Sequence, residues 1–497
     1  MRHLITILTV IALMCAILPS AANARPEMLW AKVYGDVFTE IPNSIIPSGD
    51  GGAIIAGAKW RGAESDYDIL LMKVDAAGDS VWSYLYSGQG NQWAEDIVST
   101  PDGGYLVAGS TWFNGNDDGL VVKFDCDGLP EWETQVGGDF PNMYYYYKIL
   151  NAPDDCYYLV GTAILVVEDD GCMNMDCIVT KMTPEGQVVW TNYYGVPEAN
   201  ECCYEAIQTS DGGIALTGYS WLPREDDWND ALLMKLSPEG ELEWMREYGD
   251  TLLTEDGFGL AQTPDGGYII VGEQTEYDAS QFIARTDENG ELLWTKAFIG
   301  PEGVLSYAWW VVNTPNEGYL VGGFSSEEGS GDYDFNLKSL DVNGEIIWTA
   351  AYGGALSDRC YAMLPTEDGG MMLVGETRSY GNAQGMSPDL WLIKVAEPDK
   401  VAPEAVETTT SGLSLSPAYP NPFNSTTVVS FQTSSTENVY ANLVDESGRE
   451  WTKWSLNQTK PGSGRFVLDG ASLPTGVYWL KVSQNNKSVQ QRIVLVR

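Results

Sequence analysis

One unit of sequence is written seven times along this chain, and that repetition restricts the fold more than any other feature. Its clearest copy runs DGGYLVAGST, then a variable acidic stretch, then LVVKFDCDGLPEW, from Asp102 to Trp132. The opening DGG, or a degenerate form of it, recurs at Asp50, Asp102, Asp154, Asp211, Asp265, Asn316 and Asp368. A Trp closes six units, at Trp82, Trp132, Trp190, Trp244, Trp294 and Trp348, and Trp30 in LWAKVYG is a seventh copy at the wrong end of the chain. Self-similarity with a period of about 50 to 58 residues marks a propeller or a solenoid.

Each unit holds four short apolar runs. In the second they are AEDIVST, GYLVAGS, GLVVKFD and EWETQV. They are rich in Val, Leu, Ile, Tyr and Trp and either alternate or run apolar for five to seven residues, which predicts strands. Pro101-Asp102-Gly103-Gly104 and Asp125-Cys126-Asp127-Gly128 separate them with hairpin-turn chemistry. Four antiparallel strands repeated radially make a propeller blade. Seven third-strand segments can be counted, and the last, LIKVA at Leu392, has no Trp strand after it. Trp30 and its neighbours supply that strand, so that no sheet edge is left open. The expectation is an all-β chain: a seven-bladed β-propeller over residues 25–397, followed by a small C-terminal β-sandwich.

This arrangement places the two short hairpins of every unit on one side of the disc. The second-to-third loops lie on the other side, and they vary most in length, acidity and aromatic content. Loops carried on a rigid scaffold are where function usually sits. The candidate ligand-binding residues there are Trp112, Phe113, Asp117, Asp118, Trp221, Asp226, Asp227 and Trp228, with Tyr333 and Tyr380 as further loop aromatics. Aromatic faces stack on sugars or anchor peptides, and the Asp residues would hydrogen-bond hydroxyls or hold calcium. No cofactor is predicted; calcium is the one ion the acidic loops Asp226 to Asp230 and Glu327 to Asp334 would suit, though neither has an EF-hand pattern. An Asp opens the third strand in six units (Asp68, Asp118, Asp176, Asp230, Asp334, Asp389), with Ser280 in the other. So regular a feature reads as a carboxylate bound to backbone N–H groups, with a ring of cation ligands as the alternative.

The ends of the chain differ from the repeats. Residues 1–24 read as a secretory signal peptide, with Arg2 and His3, an apolar segment and the small-residue site Ala22-Asn23-Ala24. Residues 398–412 are a Pro-, Thr- and Glu-rich linker. Beyond it stand LSLSPAYPNPFNSTTVVSF, LDGASLPTGVYWLKV and the terminus QQRIVLVR. These blocks resemble the type A sorting domain of the type IX secretion system, whose opening motif is carried here by Tyr419, Pro420, Asn421, Pro422, Phe423 and Asn424. Val444-Asp445-Glu446-Ser447-Gly448 and Gln491-Arg492 depart mildly from that family's usual pattern. The resemblance covers residues 413–497. It implies the type IX secretion machinery as a partner, and a protein released or held at the outer-membrane cell surface. No other run is apolar enough for a membrane span.

Net charge is −43 over the chain. Residues 413–497 carry more Lys and Arg than Asp and Glu, so the negative charge belongs to the repeats. Such a surface argues against nucleic acid and anionic lipid as partners. The only histidine is His3, which removes Ser-His-Asp and Cys-His catalysis and His-ligated metals from the mature chain. Seven Cys follow the leader, and in an exported protein they point to disulfides. Cys172 and Cys177 flank a short loop and make the favoured pair. Cys202 and Cys203 either bond each other or bond elsewhere, and zinc held by thiolates alone is the remaining option. VDAAGDSVW (Val74 to Trp82) is similar to the Trp-docking repeats of pyrroloquinoline quinone dehydrogenases, but that family's ligand pattern has no counterpart here.

Three functions fit these residues. The first is a secreted or surface propeller that recognises a protein or glycan through its loop-rich face. The second is a glycosidase or polysaccharide lyase working with carboxylates or Tyr. The third is a structural surface-layer component.

Overall fold

The computed structural model describes residues 26–396 and 413–495. It leaves aside 63–66, 89, 114–115, 138–141, 167–172, 197–198, 223–227, 250–252, 276–277, 301–302, 315–316, 327–331, 382–386, 416–417, 419–425, 434–436, 446–448, 457–461 and 486. The leader, the linker, Cys172, Asp226, Asp227 and the motif from Tyr419 to Asn424 therefore lie outside the described residues.

Every described element is a strand. Residues 26–396 form repeated four-stranded antiparallel sheets, seven among the described residues. The first contains Glu40–Pro47, Ala53–Trp60, Tyr67–Val74 and Ser80–Tyr86 in sequence order. Five more follow the same order, and the seventh joins Asp358–Pro365, Met371–Thr377 and Asp389–Val395 to the N-terminal strand Met28–Tyr34. The expected strand exchange is present: Trp30 pairs with Lys394 and Tyr34 with Leu390.

Burial follows position within a sheet. Second and third strands are buried on both faces, as Ala53–Trp60 and Tyr67–Val74 show, which is why they read as unbroken apolar runs rather than alternating ones. Fourth strands such as Ser80–Tyr86 are largely exposed, and first strands alternate. First strands of successive sheets lie side by side, and that of the seventh lies against that of the first. Ile45, Ile55 and Leu70 of the first sheet share one apolar cluster with Ala362, Leu390 and Leu392 of the seventh.

The turn motif explains itself. Asp102 accepts hydrogen bonds from Thr100 and from the Gly104 N–H at 3.0 Å, and its other oxygen lies 3.0 Å from the buried Lys123 ammonium. Thr100, Gly104 and Lys123 together hold its carboxyl down at about 2. Lys73–Asp50, Lys181–Asp154, Lys235–Asp211, Arg285–Asp265 and Lys394–Asp368 repeat the pair. The repeated Asp and Lys thus tie the first hairpin to the third strand.

Residues 413–495 form two further sheets. One orders Leu413–Leu415, Thr426–Thr433 and Gly462–Asp469; the other orders Glu450–Leu456, Val439–Asp445, Gly476–Gln484 and Lys487–Leu495. They close on a core of Val429, Phe431, Leu443, Phe466, Leu480 and Ile493. Arg492 stands 3.1 Å from Glu27 and donates to the Leu29 carbonyl, while Val494 joins the cluster around Met28 and Trp348.

The cysteine pairing differs from expectation. Cys177 is bonded to Cys203, with Cα atoms 5.4 Å apart, and not to Cys172. The bond joins the third strand of the third sheet to the first strand of the fourth. Cys202 is a buried free thiol that accepts from Thr162 Oγ1 at 3.0 Å, so no vicinal bond forms. Its side chain points to the opposite face from Cys203, as strand alternation requires.

Candidate functional site

Among the described residues, the loop-face positions named from the sequence do not converge. Trp112 pairs with Asp117 across its own hairpin and is 48% exposed. Trp221 pairs with Asn229 and is half-buried, and Trp228 is 39% exposed. They belong to the second and fourth sheets, and among the described residues no ring contact joins them. Phe113 ends its strand beside Trp112. Asp117 accepts from the Tyr145 hydroxyl at 2.7 Å, and Asp118 lies against Gly137. Tyr380 lies in the loop after Met371–Thr377 but is not exposed. It is buried on Trp391 and donates to the Gly353 carbonyl at 2.7 Å, because its segment folds back over the seventh sheet.

A different constellation occupies the axis. Each first strand carries a one-residue bulge at the same place, where pairing skips Asn43, Glu95, Tyr147, Tyr204, Phe258, Trp309 and Tyr361. A bulge leaves one residue out of the ladder and re-aims its side chain. The third glycine of the repeat, Gly109 in DGGYLVAGST, permits it. A Cβ on Gly109, Gly161, Gly218, Gly272 or Gly375 would strike the carbonyl oxygen of Trp93, Tyr145, Cys202, Asp256 or Arg359 on the first strand, so only glycine fits.

Because first strands form the inner edges, the bulged residues meet. Tyr147 and Tyr204 have ring centroids 5.6 Å apart, Tyr204 and Phe258 5.4 Å, Phe258 and Trp309 4.6 Å and nearly parallel, Trp309 and Tyr361 6.4 Å. Asn43 donates to Ala94 O at 2.9 Å and Glu95 Oε2 at 3.2 Å. The result is a half-buried collar, aromatic over five sheets and polar over two.

Each side of the collar is distinct. Toward the hairpins, Lys148 lies 3.2 Å from Glu205, 3.6 Å from Asp96 and 4.8 Å from the Trp310 ring centroid. Lys148, Glu205 and Trp310 also line a cavity of about 230 Å³, together with Leu150, Ile207 and Leu260. Toward the variable loops, Tyr67 stacks on Trp93 at 4.0 Å, and Tyr307, Phe324 and Tyr333 cluster under the Arg359 guanidinium, which lies 5.0 Å from Tyr333. Burial, with Asp96 nearby, lifts the Glu95 carboxyl to about 7. Burial and then Asp256 do the same to Glu273. This mouth offers flat apolar faces beside hydrogen-bonding carboxyls, a combination suited to a ligand with one apolar face and several hydroxyls. Among the described residues no three acidic or Cys side chains converge to hold a metal.

The bulged residues escaped the sequence reading because their types differ. Their position was nevertheless legible: each stands seven residues ahead of the turn Asp, or of Asn316 in the sixth unit.

Fold and terminus together define an all-β, propeller-like repeat protein that carries an export address. Residues 417–496 match the secretion system C-terminal sorting domain, and the chain is thereby one exported by the type IX route, to the cell surface or beyond. No curated protein matches it in sequence. Among solved structures it is similar to PorZ, an essential surface component of the type-IX secretion system of Porphyromonas gingivalis, at 14% identity and a TM-score of 0.41, over 90% of this chain. The chain spans 58% of that protein's length. It is also similar to the BP39L lectin from Burkholderia pseudomallei (7% identity, TM-score 0.47, 72% of this chain and 99% of the lectin). A third is the β-propeller domain of the Trilobed protease from Pyrococcus furiosus (10%, 0.39, 77% and 99%). Among the described residues no helix is long and apolar enough to cross a membrane.

Proposed function

We propose that residues 25–397 are a closed seven-bladed β-propeller, that residues 413–497 are a β-sandwich serving as its export address, and that the exported chain is a binding module whose axial mouth takes a glycan. The observation that carries the reading is the collar. Tyr147, Tyr204, Phe258, Trp309 and Tyr361 form an unbroken aromatic arc, and Asn43 and Glu95 stand opposite it. A sugar ring presents a C–H face to the first and hydroxyls to the second. A protein segment is the other class the loop face would admit, but a peptide needs an extended groove, and the described aromatics concentrate at one axial point. The described loop residues Trp112, Asp117, Asp118, Trp221 and Trp228 then form the rim that a longer chain would touch, and Phe113, Asp226 and Asp227 stay candidates from the sequence.

The test is a glycan array probed with the whole chain, repeated with Trp309→Ala and with Trp112→Ala. Binding that is lost with the first and only weakened with the second supports an axial site. A folded protein that binds no glycan, or binds equally well without Trp309, overturns it.

A further inference from the structure

Between successive sheets the same two positions meet: the residue opening a third strand and the residue near the start of the next sheet's first strand. A glycine after the fourth strand lies between them. A Cβ on Gly195 would collide with both Asp176 Oδ1 and Glu201 Oε2, and one on Gly249 with both Asp230 Oδ1 and Glu255 Oε2. The seven junctions treat this pairing differently. Where Asp389 meets Glu40, Lys59 lies 2.6 Å from Glu40. Asp68 has Arg61 at 2.5 Å and Gln92 in place of an acid. Ser280 and Ser306 replace both acids between the fifth and sixth sheets. Two acids stand together between the fourth and fifth, where Glu255 accepts from the Gln274 amide at 2.6 Å, and again between the third and fourth.

There Glu201 is 0% exposed; its Oε1 accepts from the Val196 N–H at 3.2 Å and its Oε2 has no hydrogen-bond partner. Asp176 accepts from the Asn174 amide at 2.8 Å. Among the described residues neither is in an ion pair. The titratable groups bearing on Glu201 are Asp176 from the third sheet and Glu247 from the fourth strand of its own sheet, both acidic. Asp176 is half-buried and Glu201 fully buried, so ionising both carboxyls at once is disfavoured. Right beside them, Cys177 follows Asp176 and Cys203 lies two residues past Glu201, and their disulfide crosses the same junction.

We infer that Asp176 and Glu201 share one proton and so form an acid latch between the third and fourth sheets, and that the Cys177–Cys203 disulfide holds the junction closed once that proton is lost. In the protonated state the orphan oxygen gains a partner. In the ionised state like charges face each other, and the covalent bond opposes their separation. Burial, and then Asp176, lift the Glu201 carboxyl to about 7, above the ordinary value of about 4.3 that it regains on unfolding. The folded state therefore holds a proton that the unfolded state releases. The stabilisation is complete below about pH 4 and is lost as pH rises through about 7.

The test is amide exchange of the whole chain, read by mass spectrometry over residues 173–182 and 200–208 at about pH 5.5 and about pH 8 and corrected for intrinsic exchange. It is run with the disulfide intact and after reduction by a dithiol, which passes two electrons and two protons to the Cys177 and Cys203 sulfurs and is itself oxidised to a cyclic disulfide. In the reduced protein, protection at this junction should fall by about tenfold or more between the two pH values. The intact disulfide should suppress that fall, and reduced Glu201→Gln should not show it. Asp176→Asn serves as the second variant should Glu201→Gln fail to fold, with the same expectation. Equal pH dependence in variant and wild type overturns the latch. So does restoration of protection at pH 8 by added calcium, which would make the pair a cation site instead.

Discussion

The indole of Trp30 covers Gly78: a Cβ on that glycine would stand 2.7 Å from Trp30 Cζ3. The relation recurs as Trp82 on Gly128, Trp132 on Gly186, Trp190 on Gly240, Trp244 on Gly290 and Trp294 on Gly344. The repeated Trp of one sheet thus seats on the third-to-fourth turn of the next, and each of those turn glycines has a positive φ. Trp30 reaches the first sheet from the strand that completes the seventh. Tyr34 donates to the Gly78 carbonyl as Tyr194 does to Gly240 and Tyr248 to Gly290, both at 2.6 Å. At the level of packing, the seam between first and last sheets matches the five other junctions with such a turn; the seventh sheet takes its fourth strand from the N-terminus, and Trp348 packs in the cluster with Met28 instead.

Trp30→Ala should therefore cost as much stability as Trp82→Ala. Both side chains are half-buried, so about 2–4 kcal/mol is expected, a little less than for a fully buried Trp. Chemical denaturation of the two variants checks this. A Trp30 loss less than half that of Trp82 would mean the N-terminal strand is not an equal member of the ring.

Gly161→Ala should disrupt the collar. The new methyl would strike the Tyr145 carbonyl, so the bulge that presents Tyr147 must flatten or shift. A cost of about 2–3 kcal/mol is expected, from strain of the overpacking kind. The contact of Tyr147 with Tyr204 should be lost, so the near-ultraviolet circular dichroism of the collar aromatics should change as well. A variant of wild-type stability and spectrum would show that the glycine is not what makes room for the bulge.

The turn pairs should respond asymmetrically. Lys235 is buried and lies 3.0 Å from Asp211 and 3.3 Å from Glu243. Asp211→Ala leaves a buried ammonium with one acid and the Leu236 carbonyl, and should destabilise by about 1–3 kcal/mol. Lys235→Met removes the charge and keeps the volume, and should stay within about 1 kcal/mol of wild type. The reverse order, measured by thermal unfolding, would refute the view that the acid serves the lysine.

The repeat carried most of the fold into view. Turn glycines, apolar third strands and the stray Trp30 specify the sheets, their order and the exchanged strand, because all of these are local signals. Two things were hidden. Cys177 and Cys203 become neighbours only when two sheets pack, so spacing along the chain favoured Cys172 instead. The collar was hidden because seven equivalent positions carry five different residue types. The fold needs only the bulge there, and that requirement is written in the glycine opposite, leaving the bulged side chain free to vary with function. Asp226 and Asp227 stay expectations from sequence.

The disulfide makes a further prediction. Its ends are 26 residues apart, and closing a loop of that size is worth about 3 kcal/mol through the unfolded state. Cys203→Ala should lose about that much, and Cys172→Ala should lose almost nothing. Peptide mapping of the non-reduced protein should recover the Cys177 and Cys203 peptides joined. A Cys172–Cys177 peptide in their place would contradict the packing of the third sheet on the fourth.

The last prediction separates fold from function at the two kinds of Trp. Trp112 is 48% exposed and touches no other aromatic ring among the described residues, so Trp112→Ala should change stability by no more than about 0.5 kcal/mol. Trp309 stacks on Phe258 at 4.6 Å and meets Tyr361. Removing it opens the collar without touching the apolar layers between sheets, so a moderate cost of about 1–2 kcal/mol is expected, of the order that aromatic pairs add beyond burial. If the mouth binds a sugar, that variant should lose binding by about tenfold or more, since one stacking contact of 1.4 kcal/mol is a factor of ten. Calorimetric titration with the best array glycan reads both numbers on one sample. Binding that follows Trp112 while ignoring Trp309 would move the site from the axis to the rim.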